Sequence, residues 1–153
     1  MHVRIIKREH RNELVCVRDD GTRTMAHLGP RLPYHDLAHY VVERQFGLRR
    51  GFYGNIAAGY SIDALGEKDV IKSLSSESWI AEILARALTS LATGSCRSDQ
   101  FASLVNEELA HLGIARLNDI SEAVVREMIT EYRGLASRYE SLSNGASIHL
   151  AFE

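Results

Sequence analysis

Only two cysteines, Cys16 in a strand-like run and Cys96 in a loop-like one, occur among the 153 residues. That is too few for a disulfide framework or a four-cysteine zinc site, and both are expected as reduced thiols of an intracellular protein. No window approaches the roughly 18 uncharged apolar residues that a membrane span needs. Met1-His2-Val3-Arg4 leads into a charged stretch and not into a signal-peptide hydrophobic region, so the expected compartment is the cytoplasm, with no membrane partner. Basic residues form no run with interleaved aromatics, and nucleic acid is not expected as a partner. The segment Gly51–Tyr60 has no lysine and fits neither a phosphate-cradling loop nor a dinucleotide fingerprint. No Gly-x-Ser-x-Gly elbow, internal repeat, low-complexity tract or linker is present.

What remains is ordinary globular composition, 45% hydrophobic and 25% charged, at a common domain size, which predicts one domain over residues 1–153. The net charge of −2 is unevenly spread: Lys and Arg outnumber Asp and Glu by 10 to 6 in residues 1–53 and are outnumbered 14 to 8 in residues 54–153. Solvated strand faces account for this better than an anionic ligand does.

Short β-favouring runs occupy Val3–Ile6, Leu14–Val17 and Thr22–Leu28, with Asp19-Asp20-Gly21-Thr22 predicting a type I′ hairpin turn. Near the C-terminus Ile148, Leu150 and Phe152 alternate with His149 and Ala151, predicting a strand that joins the N-terminal meander. Between them the period becomes helical. Helices are expected over Pro33–Phe46, Ser76–Thr93, Ser98–Leu112 and Asp119–Ser143, and Gly51–Tyr60 reads as a short helix or packed loop. The expected class is therefore α+β: a small antiparallel sheet of three or four strands packed against about four helices.

The most informative chemistry lies in His35-Asp36-Leu37-Ala38-His39. At about 100° per residue, His35, His39 and Glu43 fall along one strip, and Asp36 lies roughly 100° round from His35. Two imidazoles one turn apart are how a helix offers two nitrogen ligands to one divalent ion, as in His-Glu-x-x-His zinc hydrolases. On this reading His35 and His39 bind the ion, most naturally zinc. Glu43 or another histidine such as His27 is the third ligand, and Asp36 is an orienting group or weak general base. Tyr53, Asn55 and Tyr60 are secondary candidates for lining the same cleft. The alternative is structural: Asp36 meets a helix dipole, Glu43 pairs with an arginine, and the histidines satisfy core hydrogen bonds. Cys96, beside Arg97, is a remote candidate for an activated thiol with His111 as its base.

The segment Leu32-Pro33-Tyr34-His35-Asp36-Leu37-Ala38-His39-Tyr40-Val41-Val42-Glu43 resembles one found in small bacterial proteins of unassigned function, a likeness of about a dozen residues that implies no activity. The doublet His35-Asp36 also resembles that of the HD phosphohydrolases, which add a histidine and an aspartate on other helices of an all-helical fold. Here His10 or His27 and Asp99 would have to serve, and both histidines lie in β-like sequence. The His-Asp-x-x-His pair is further similar to one in a ubiquinone-biosynthesis family that places a zinc-binding glutamate after eleven intervening residues, where this chain has Gly51.

The sequence thus points to a divalent-metal-binding protein, with metal-dependent hydrolysis of a small-molecule substrate as the natural reaction class. The alternative is a non-enzymatic interaction module, a homo-oligomer or partner-binding protein using the 119–143 helix. The expected site lies between the sheet edge and the first helix.

Overall fold

A computed structural model describes all of residues 1–153. The chain has an α+β fold. Strands β1 (His2–Ile6), β2 (Asn12–Val17), β3 (Arg23–Leu28) and β4 (Ser147–Ala151) form one antiparallel sheet in the order β3-β2-β1-β4. The N-terminal meander and the C-terminal strand meet as the alternation of their residues requires. Val3 pairs with Cys16 and Leu150, and Ile5 with Leu14 and Ile148, so six apolar side chains in register make one buried sheet face. Arg4 and His149 pair on the opposite face and are exposed.

The β2–β3 connection differs from the expected type I′ turn. Arg18 N–H donates to the Thr22 carbonyl, which leaves the three-residue loop Asp19-Asp20-Gly21, and only Gly21 takes a positive φ, of 84°. Asp20 instead uses its carboxylate to hold the Thr22 N–H and hydroxyl at 2.9 and 2.6 Å. A side-chain cap of this kind, with glycine alone in the left-handed region, suits a longer loop better than a two-residue turn.

Six α-helices complete the fold: α1 (Leu32–Phe46), α2 (Phe52–Ala57), α3 (Lys68–Ser73), α4 (Ser76–Ala92), α5 (Phe101–His111) and α6 (Glu122–Glu140). Two more than expected are present. Gly51–Tyr60 resolves into the short α2, and α3, with no buried residue, lacks the apolar period that marks a helix in sequence. Helix α1 starts with Pro33 in its first turn, where a missing N–H costs nothing, and ends on Gly47 in the left-handed conformation. It packs against α4, α6 and α2.

The apolar stripe of α6, including Val125, Met128, Tyr132, Leu135 and Tyr139, is buried in the core and is not presented as a partner surface. Thirty-five buried residues from sheet and helices form a single hydrophobic cluster. No helix is long and apolar enough to cross a membrane.

Candidate metal centre

The histidine strip of α1 does not face the sheet. It faces α4, and the site lies between these two helices, because the sheet-facing side of α1 is taken by its apolar residues. His35 and His39, one turn apart, bring their Nε2 atoms to 3.2 Å from each other. Glu82, from the middle of α4, places Oε2 at 3.3 Å from His35 Nε2 and 3.1 Å from His39 Nε2. These three residues form a group that can hold a metal ion. A tetrahedral zinc with ligand bonds of about 2.0–2.1 Å spaces its ligand atoms about 3.3 Å apart, close to all three edges of this triangle.

The sequence reading missed Glu82. It is the only acidic residue between Glu77 and Asp99, set among Ile80, Ala81, Ile83 and Leu84 in an otherwise apolar turn. That isolation was the available signal, but nothing local ties a residue 43 positions away to His39.

Glu43 lies on the other side of His39. Its Oε1 sits 3.1 Å from Nδ1, so the Nδ1–H donates to the carboxylate and Nε2 is the ring nitrogen left facing His35 and Glu82. The Glu43 side chain is wholly buried and also accepts the backbone N–H groups of Tyr53, at 3.3 Å, and Gly54, at 3.1 Å. Helix α2 is therefore tied by its first turn to the group that orients His39. Gly51 matters to this arrangement, because a Cβ there would collide with the Glu43 carboxylate. Where the ubiquinone-biosynthesis pattern has a glutamate, this chain has the gap into which Glu43 fits.

Burial alone would push the His39 imidazole towards the neutral form. Its contacts with Glu43 and Glu82 outweigh burial, and the pKa rises to about 9. The same contacts, first with His35 and then with His39, hold Glu82 well below the usual carboxylate range. Without a metal the group is thus a protonated imidazole between two carboxylates.

Asp36 points elsewhere. It is buried, its Oδ2 has no hydrogen-bond partner, and burial lifts its pKa to about 6, with His39 and His35 opposing the rise. Its charge reaches Cys16 on β2 and the buried Tyr53, whose hydroxyl is also unpartnered. It lines none of the cavities that border the metal group. A carboxyl raised this way contributes fully below about pH 3.8 and loses that contribution as pH climbs through about 6. Asp36→Asn is therefore expected to be about 2 kcal/mol more stable than wild type at pH 8. That figure is the roughly 3 kcal/mol of a two-unit shift less about 1 kcal/mol for a buried amide without a partner. Urea unfolding at pH 4 should show no such gain, and equal differences at both pH values would refute the ionised assignment.

Of the secondary candidates, Tyr53 is fully buried, Asn55 lines a cleft with His39 and Glu82, and Tyr60 is exposed with its backbone engaged, the carbonyl by Arg18 and the N–H by the Asn55 carbonyl. His27 is exposed on β3, opposite Glu13, and does not join the group. Asp99 pairs with Arg97 in a separate loop. Cys96 is held up by burial and by Asp99, the reverse of an activated thiol.

Three cavities border the group. His39 and Glu82 edge a cleft of about 320 Å³, His35 opens onto a wider depression of about 810 Å³ whose rim carries Arg31 and Arg133, and Glu82 also lines a depression of about 450 Å³ with Trp79, Arg86 and Glu108. Comparisons with known proteins found no matching family model, no matching curated protein and no matching solved structure.

Proposed function

We propose that this protein binds one divalent metal ion, zinc by its donor set, through His35 Nε2, His39 Nε2 and Glu82 Oε2. In this reading the ion promotes hydrolysis of a small molecule. The observation that carries the reading is the triangle of 3.1, 3.2 and 3.3 Å between the three ligand atoms. Two histidines and one glutamate are a catalytic zinc set, because three protein ligands leave a fourth position for water, whereas structural zinc sites close all four. A water there would be acidified by the ion and available as nucleophile near neutral pH. Glu43 supports the reading from behind, fixing the tautomer of His39 as carboxylates do for zinc-bound imidazoles. The burial of the α6 apolar stripe favours this reading over an interaction module that would use that stripe.

The test is metal content by plasma mass spectrometry after loading with zinc and desalting. Wild type is expected to retain about one equivalent, and Glu82→Ala and a His35→Ala/His39→Ala double variant to retain none. Equal retention in wild type and Glu82→Ala would remove the proposed third ligand. No retention in wild type would remove the metal reading itself.

A further inference from the structure

The cleft beside His39 and Glu82 has two chemically distinct parts. Its walls are apolar: Phe52 from α2, Leu65 from a single 3-10 turn at Ala64–Gly66, Ile71 from α3, Leu74, and Trp79 from α4. Its polar lining beyond the metal group is Asn55 and Ser78, and no lysine or arginine contributes.

Asn55 is 3% exposed, and its hydrogen bonds fix which way its amide points. Nδ2 contacts the Arg50 carbonyl at 3.0 Å, which can only accept, and Ser78 Oγ at 2.9 Å. The single Ser78 hydroxyl proton is itself given to the Arg50 carbonyl, so Ser78 must accept from Asn55. Both Nδ2 protons are spent, and Oδ1 has no partner. Asn55 thus brings the cleft a free acceptor held in a fixed orientation.

We propose that this cleft takes the uncharged apolar body of the substrate, a short acyl chain or a single ring, with an oxygen head group on the metal. An N–H or O–H next to the head would be read by Asn55 Oδ1. The proposal rests on the metal reading and adds the substrate class to it. A volume of about 320 Å³ equals about ten waters at roughly 30 Å³ each, which suits a body of this size and excludes a polymer. Apolar walls with one oriented polar group are the usual means by which small-molecule sites combine affinity with orientation. Access runs past the residues of the 3-10 turn and α3, none of which is buried, so this wall can shift without opening the core.

Trp79 is the only tryptophan and lines the cleft, so its fluorescence reads binding there. The experiment titrates zinc-loaded protein with hexanohydroxamate and acetohydroxamate, which share a metal-binding head and differ in chain length. Hexanohydroxamate is expected to bind at least tenfold more tightly, the direction that burial of its added methylenes requires. Leu74→Asp should abolish that preference while retaining zinc and acetohydroxamate binding. Ile71→Asp serves if Leu74→Asp fails to fold by circular dichroism. Equal affinities for the two hydroxamates, or a preference that survives both substitutions, would overturn the proposal and leave the metal centre standing. Should the protein hold no zinc, the metal reading fails on its own, and hexanamide against acetamide then decides the cleft. A saturating Trp79 change with hexanamide alone upholds the apolar site, and no change with either overturns it.

Discussion

Glu43→Met is expected to lower the folding stability of the metal-free protein by about 3–5 kcal/mol, the cost typical of removing one partner from a buried charged pair. The carboxylate satisfies three buried donors at once, His39 Nδ1–H and the N–H groups of Tyr53 and Gly54. A thioether of similar volume fills the space and accepts almost nothing, so the loss comes from orphaned donors and an unpaired imidazolium, not from a cavity. At about 2–4 °C per kcal/mol for a chain of this size, Tm should fall by about 6–20 °C. Glu43→Gln keeps shape and one acceptor oxygen and should fall by less.

Zinc affinity provides the second readout. Glu43→Met removes the acceptor that fixes the His39 tautomer, and Glu43→Gln replaces the charged acceptor with a neutral one, so affinity should drop about 10- to 100-fold with Glu82 and His35 untouched. Calorimetric melting and competition with a zinc-binding dye measure the two quantities. A Glu43→Met protein as stable as wild type would mean that the network through α2 does not exist. Unchanged zinc affinity in a folded Glu43→Gln protein would detach Glu43 from the metal centre.

The residues that were legible in the sequence share one property, a local pattern with a direct physical meaning. Alternation in Val3–Ile6 and Ile148–Phe152 gave the strands and their common buried face, because a period of two leaves little choice about which side turns inward. The four-residue step from His35 to His39 gave two imidazoles on one face of α1, because a helix allows nothing else. What was hidden depends on tertiary placement. Glu43 continues the histidine strip and so reads as a ligand, yet a histidine has two ring nitrogens, and only the approach of α2 with Gly51 at its start decides which one Glu43 meets. Glu82 reaches the pair only because α4 packs alongside α1. Asp36, read from sequence as an orienting group or weak base, lies a quarter-turn from the metal strip, and that offset leaves it buried with its charge within reach of Cys16 and Tyr53 and off the cavities that border the metal group.

Raising the pH from about 6.5 to about 9 should weaken the metal-free protein and strengthen zinc binding, by the same proton. His39 has its pKa raised to about 9 in the folded chain against an ordinary 6.5. A group raised in this way contributes stability that is fully present below about 6.5 and is gone once the pH has climbed through about 9. A shift of that size corresponds to roughly 3 kcal/mol. Glu82, held low by its contacts with His35 and His39, acts in the opposite sense at the acid end, where its contribution is lost as pH falls below the normal carboxylate range. Zinc needs the Nε2 lone pair that the proton occupies, so each ion bound below about pH 9 must release one proton from His39, and apparent affinity should climb about tenfold per pH unit across that window. Calorimetry in two buffers of different ionisation enthalpy counts the released proton directly. A count near one, with zinc-free Tm falling and zinc-loaded Tm holding as the pH rises, follows if the two carboxylates hold a proton that the ion replaces. A count near zero at pH 7 would mean that His39 is already neutral there, and that its contacts with Glu43 and Glu82 do not hold the imidazolium in place.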